Sequence, residues 1–175
     1  SKNRNGWGVN NGVEMLNIDK FNLSKIIPKP RMIRLDVNEN FLDYATPKNN
    51  LNIQFENVAA FENYPLNLEL PYDKNHLTFH FTAIDWLAPH KIKYQYKLEG
   101  LDENWSALTE HTYADYRNIP YGNYIFKVRA IGESQQWSKI FEYAFTIHPP
   151  WWHTVWFRIC YVLAFLFSLY FFFRW

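Results

Sequence analysis

Cysteine is almost absent. Cys160 is the single one in 175 residues, so the sequence closes no internal disulfide and builds no cysteine metal cage. Cysteine usage therefore says nothing positive about compartment. A dominant charge is missing too. Eighteen Lys and Arg stand against 17 Asp and Glu, and no bulk field draws the chain to nucleic acid or an acidic polymer. There is no phosphate-cradling glycine loop and no Gly-x-Ser-x-Gly elbow. The six histidines do not cluster. His76 and His80 are four apart but fall at a turn and on a strand, where that spacing spreads ligands too far for one metal. His80 is expected on a solvated strand face, and His148 and His153 at a membrane interface. Asp102, Glu103, Glu110 and Asp115 have no spacing that pairs two carboxylates, and Asp102 has a sufficient role in a turn. No catalytic residue, metal ligand or cofactor site is expected. The sequence opens on Ser1-Lys2-Asn3-Arg4 without an initiator Met or a leader pattern, and stops at Phe172-Phe173-Arg174-Trp175. The expectation is an internal piece of a longer protein rather than a processed small one.

What is abundant is aromatic. Phe, Trp and Tyr make up 20% of the chain, ample material for a core. The clearest stretch runs from Tyr94 to Trp105. Tyr94, Tyr96 and Leu98 alternate with Lys93, Gln95, Lys97 and Glu99, so one face of a strand is buried and one is wet. Gly100 breaks the strand, Asp102 and Asn104 supply turn chemistry, and Trp105 is expected to close back onto the apolar side. The same alternation recurs in Leu77–Ala83, Tyr124–Ala130 and Phe141–Ile147, with a Pro/Gly turn over Arg117–Asn123 and a Trp137-bearing loop over Gly132–Ser138. Arg31–Val37 is a candidate first strand, Leu51–Phe55 a further one, and Tyr72–Asn75 a tight turn. The rest of 38–75 fits no single pattern. Several short strands at near-regular spacing, with no helical period among them, indicate an all-β antiparallel sandwich over 30–148.

Before it, residues 1–29 are polar and turn-rich, with one candidate strand at Val13–Asp19. Pro28 and Pro30 are expected to stop regular pairing and mark a boundary. After His148-Pro149-Pro150, nearly every residue from Trp151 to Phe173 is apolar or aromatic, and Ile159–Phe173 carries no charge. A spanning helix needs about 20 such residues. A buried helix of a soluble fold would show a polar face. The reading is therefore a transmembrane helix over about 154–173, within 151–175. Trp151, Trp152 and Trp156 sit where an aromatic belt belongs, Arg158 snorkels, and Cys160 is an inert residue of the span. Only Arg174 lies among the residues beyond the apolar run, so the charge rule gives no orientation.

Three motifs in order carry a resemblance. They are Tyr94-x-Tyr96-x-Leu98-x-Gly100-x-Asp102-x-x-Trp105, then Tyr116-Arg117-Asn118-Ile119-Pro120-Tyr121-Gly122-Asn123-Tyr124, then Pro149-Pro150-Trp151-Trp152 before the apolar run. Residues 30–175 resemble the three-tyrosine (Y_Y_Y) domain and its membrane span. The resemblance implies an immunoglobulin/fibronectin-III-like sandwich on the periplasmic side of the inner membrane, with residues 1–150 periplasmic. It implies a place between a regulator-type β-propeller, whose last blade residues 1–29 resemble, and a cytoplasmic two-component output, a histidine kinase in many relatives. It further implies a homodimer, an oligosaccharide ligand reached through the propeller, and no direct nucleic-acid contact. The motif residues Tyr94, Tyr96, Leu98, Gly100, Asp102, Trp105, Tyr116, Pro120, Gly122 and Tyr124 are assigned structural roles. Tyr94, Tyr96 and Tyr124 pack in the core, and Tyr116 is the candidate corner tyrosine, bonding back to backbone. His148, Pro149 and Pro150 form a short, stiff coupling linker. The rival class is a membrane-anchored carbohydrate-binding or adhesion module, with Trp86, Trp105 and Trp137 as its exposed row.

Overall fold

The computed structural model describes residues 4–9, 12–17, 27–45, 53–85, 89–153 and 155–174. Strands β1 (Arg4–Val9) and β2 (Gly12–Asn17) form an antiparallel hairpin in register from Arg4↔Asn17 to Val9↔Gly12. Ile18 and Asp19, the end of the expected strand there, lie outside the described residues.

The sandwich follows. Its first sheet joins β3 (Lys29–Val37), β7 (Leu77–Ile84) and β9 (Tyr113–Tyr116) in the order β3-β7-β9. The second joins β6 (Leu68–Leu70), β8 (Lys93–Glu99), β10 (Gly122–Ile131) and β11 (Phe141–Ile147) in the order β6-β11-β10-β8. All pairings are antiparallel except β6 with β11. The first strand's work is thus divided between sheets. β3 edges one, and β6 edges the other beside the last strand, as in immunoglobulin-type sandwiches. A small hairpin of β4 (Asn57–Val58) and β5 (Pro65–Leu66) lies between β3 and β6.

Period-two burial explains the two layers. β7 and β10 each bury every second residue. Their inward rings meet across the gap, with Phe79 stacked on Phe126 at 4.2 Å and 3°. Leu35, Leu77, Phe81, Leu98, Val128 and Ile147 close around them. Each such side chain contributes about 1.5–3 kcal/mol by burial. None of the described helix side chains enters this core.

Two expectations need correction. Pro30 does not stop pairing. It stands inside β3 opposite Ala83, which an edge strand tolerates because an outward N–H needs no partner. Of Leu51–Phe55, only Ile53–Phe55 are described, and they form no strand, only a bridge of Gln54 to Glu69. Of 38–75, which fits no single pattern, the described residues before β6 are short pieces pinned by tertiary bonds. Asn63 Nδ2 donates to the Leu42 carbonyl (2.6 Å) and the Tyr44 hydroxyl to that of Leu35 (3.0 Å).

The registers define two ends. Lys29, Ile84, Lys93 and Ile131 lie at one, where the chain comes in. Val37, Leu70, Leu77, Tyr116, Gly122 and Ile147 lie at the other, where it leaves. A 3₁₀ turn, Trp151–His153, then leads to helix α1 (Val155–Arg174).

Candidate functional site

The tyrosine motif is built around the end of β8. Tyr94 is buried, and its hydroxyl accepts the Ala83 N–H across the sandwich (3.1 Å). Burial raises its pKa. Tyr96 is half-buried, packed edge-on to Tyr116 (6.1 Å) and near Phe81 and Phe126. Leu98 is fully buried opposite Phe126. The chain then turns sharply. Asp102 N donates back to the Leu98 carbonyl (2.7 Å), and Gly100 adopts φ +100°. A Cβ there would stand 3.0 Å from the Tyr124 ring and 3.1 Å from the Asn123 carbonyl, so the turn needs glycine for both conformation and space. Asp102 Oδ2 takes two bonds, from the Leu98 N–H (2.8 Å) and the Tyr116 hydroxyl (2.6 Å). Burial first, then the Asp102 carboxylate, raise the Tyr116 hydroxyl far above its ordinary pKa, so it stays a donor.

The corner tyrosine is therefore Tyr124, not Tyr116. The Tyr124 hydroxyl donates to the Pro120 carbonyl four residues upstream (2.9 Å), at the start of β10. Tyr116 donates to a side chain instead. Pro120 supplies that carbonyl and Gly122 lies under the same ring, its would-be Cβ 3.5 Å from the Tyr124 hydroxyl.

Trp105 also departs from expectation. It lies on the polar face of the sheet, not the apolar one. Ser106 N donates to the Tyr96 carbonyl and Thr109 pairs with Tyr94 in both directions, so the segment runs back along β8 and shields its edge. From there the Trp105 ring stacks on Arg129, 4.3 Å from its guanidinium carbon. The same guanidinium also lies over the Trp137 ring at 4.1 Å, and Gln95 Oε1 accepts from Arg129 Nη2 at 2.8 Å. Two of the three tryptophans named as a ligand row are thus engaged with one guanidinium, and Trp86 lies outside the described residues. Sequence reasoning missed this ladder. The outward position of Arg129 in the strand alternation was its only signal.

His80 is not free on a solvated face. Its Nε2 lies 2.9 Å from both Asp36 Oδ2 and Arg34 Nη2, half-buried on the outer side of β3 and β7. His76 instead meets Asp115 at 2.6 Å. Partial burial works against the Asp115 charge, but bonds from Arg117, His76 and Thr78 outweigh it and push its pKa down to about 2. Glu110 faces Lys93 at 3.5 Å. Among the described residues no group of three His, Cys, Asp or Glu is arranged to hold a metal.

The joint to α1 is braced. His148 N donates to the Leu70 carbonyl (2.8 Å), which carries the β6–β11 pairing one residue beyond the sheet, and its ring Nε2 meets Glu69 (3.0 Å). Pro150 is buried, and its carbonyl accepts the His153 N–H (2.9 Å). The Trp152 ring packs edge-on to Tyr72 (4.9 Å) and His153 lies 5.9 Å from Tyr121. Phe157–Arg174 of α1 is long and apolar enough to cross a membrane, and none of it is buried in the fold. Cys160 is exposed on it.

Residues 87–148 match the Y_Y_Y domain family. This part of the chain is a Y_Y_Y domain. The match takes in β8 to β11, hence the whole tyrosine motif and His148. A stretch of 100 residues, 55% of this chain, is 27% identical to Histidine kinase P4 of Formosa agariphila and spans 7% of that protein. In fold the chain is similar to the extracellular domain of a hybrid two-component system from B. thetaiotaomicron, with TM-score 0.57 and 24% identity over 85% of this chain and 19% of that one. A second extracellular domain from that organism, of a protein described as a one-component system, gives TM-score 0.53 and 24% identity over 71% of this chain and 16% of that one. The Y_Y_Y domain and its flanks thus span well under two thirds of these relatives.

Proposed function

We propose that this chain is the membrane-proximal part of a sensor, and that its Y_Y_Y domain passes a ligand-driven rearrangement to α1 and so to a two-component output. The braced joint is the observation that carries this reading. A tether would need only slack chain between sandwich and helix. Here two prolines, a main-chain bond at His148 and the Trp152–Tyr72 contact leave little freedom between Ile147 and His153. A rigid body so joined moves the helix when it moves, and a two-state dimer geometry is a natural switch. The uncharged, predominantly apolar run Ile159–Phe173 of α1 supports a span, because no other described part of the fold covers it.

On this reading the domain is periplasmic and α1 crosses the inner membrane. Residues 1–29 are the tail of a β-propeller's last blade with its linker, two copies associate, and an oligosaccharide binds mainly through the propeller. The kinase chemistry belongs to the cytoplasmic remainder. The likeness to a histidine kinase and to extracellular domains of signalling systems supports this assignment. The test inserts a flexible Gly/Ser stretch between Ile147 and Trp151 of the full-length receptor. Ligand-dependent output should be lost while the protein still reaches the membrane. Unchanged signalling refutes the proposal.

A further inference from the structure

We infer that the two turns at the base of the sandwich, carrying Tyr72 and Tyr121, rest in the lipid headgroup layer, so that the domain stands on the bilayer at three points. This rests on the reading of α1 as a span. The partner is the lipid surface itself, recognised by aromatic rings rather than charge.

α1 has 20 residues, and at 1.5 Å per residue that is about 30 Å, the thickness of a hydrocarbon core. Its first turn therefore marks the hydrocarbon boundary. Trp151–His153, immediately before it, occupy the headgroup layer, which is roughly 5–8 Å deep on each side. The base turns touch these residues directly. The Tyr72 ring centroid is 4.9 Å from that of Trp152, and that of Tyr121 is 5.9 Å from His153. Groups that close to the layer share it. The two turns also hold each other, since Ile119 N donates to the Asn75 carbonyl (3.0 Å), so they form one surface. Both rings are open to solvent in the isolated chain, Tyr72 38% and Tyr121 54% exposed. Tyrosine suits such a boundary, with an apolar ring and a hydroxyl left in the wet layer. The nearby charges are mixed, with Asp73 and Asp115 beside Lys74 and Arg117. The contact should then be indifferent to anionic lipid.

The test uses the whole chain in phosphatidylcholine vesicles with one bimane label per variant. Native Cys160 reports the span. In a Cys160→Ser background, Asp73→Cys reports the base and Gln136→Cys the far end. A nitroxide on the lipid headgroup should quench Asp73→Cys about twofold or more over Gln136→Cys, and a nitroxide deep in the acyl chain should quench Cys160. Tyr72→Ala with Tyr121→Ala should lower the Asp73→Cys quenching, and added phosphatidylserine should not raise it. Equal headgroup quenching at 73 and 136, with Cys160 still quenched from the acyl chain, overturns the resting surface alone. Loss of acyl quenching at Cys160 overturns the span beneath it. Shielding at 73 that grows with the protein-to-lipid ratio would assign the surface to a second copy and also overturn the inference.

Discussion

Asp102→Ala isolates the turn on which the tyrosine motif depends. The carboxylate oxygen Oδ2 accepts from the Leu98 N–H at 2.8 Å and from the Tyr116 hydroxyl at 2.6 Å. A bond to a charged acceptor contributes about 1.5–3 kcal/mol, and half-exposure favours the lower end, so losing both should cost about 3 kcal/mol. Tyr116→Phe loses only the second bond and should cost about 1.5 kcal/mol. Asp102→Ala with Tyr116→Phe should then cost about 3 kcal/mol again, because the shared bond is lost once. The cycle leaves a coupling of about 1.5 kcal/mol. Residues 27–150 serve for the measurement, since no described side chain of α1 is in the core. Urea unfolding followed by circular dichroism should show lower midpoints at unchanged slope. A coupling near zero, or a cost below about 1 kcal/mol for Asp102→Ala, would refute the account of the turn.

Two further outcomes test the polar faces. Arg129→Ala should lower stability by about 1–2 kcal/mol and shift tryptophan emission to the red, as Trp105 and Trp137 lose the guanidinium both rings contact; Arg129→Lys should restore only part, because an ammonium lacks the planar face that stacks on rings and cannot bond Gln95 as a fork. Asp115 has a folded pKa below its unfolded value, so its stabilisation is present above about pH 4 and is lost as pH falls toward 2. After discounting for solvent screening this amounts to about 1 kcal/mol, and Asp115→Asn should flatten that part of the acid unfolding profile.

The sandwich was legible wherever one face of a strand is buried. Leu77–Ala83, Tyr94–Leu98, Tyr124–Ala130 and Phe141–Ile147 alternate, and each lies within a strand of the structure. Legibility ended where tertiary contacts, not periodicity, set the conformation. The insertion between β3 and β6 is held by Asn63 and by a bridge to Glu69, and no local pattern announces either. Trp105 was read onto the wrong face because a turn resets the alternation, and only the pairing of Ser106 and Thr109 with β8 fixes where the ring goes. The corner was read one motif too early because Tyr116 and Tyr124 look alike in sequence. Their hydroxyl partners differ only through the position of Asp102, which the fold brings under Tyr116. The Arg34–Asp36–His80 group was invisible because cross-strand register assembles it.

The placement of the motif bears on what it is for. The chain comes in at the far end, where Pro28 packs against Gly132, so closely that a Cβ on Gly132 would stand 3.4 Å from the Pro28 ring and 3.0 Å from Asp85 Oδ2. It leaves at the base through the braced joint. β10, with ten residues, connects the two ends over about 33 Å. Most of the motif gathers at the base: Gly100 and Asp102 after β8, Tyr116 at the end of β9, and Pro120, Gly122 and Tyr124 where β10 begins. Asp102, Tyr116 and Tyr124 bond one turn to another, and Gly100 and Gly122 lie against the Tyr124 ring. On the proposed transducer reading, these residues fix the turn that carries Tyr121 relative to the strand that continues into the helix. Loosening them should therefore weaken coupling more than it weakens ligand binding. Asp102→Ala in the full-length receptor separates the two. Output falling with ligand affinity kept supports a brace, while affinity lost in step with output would place the motif in the binding site and refute it.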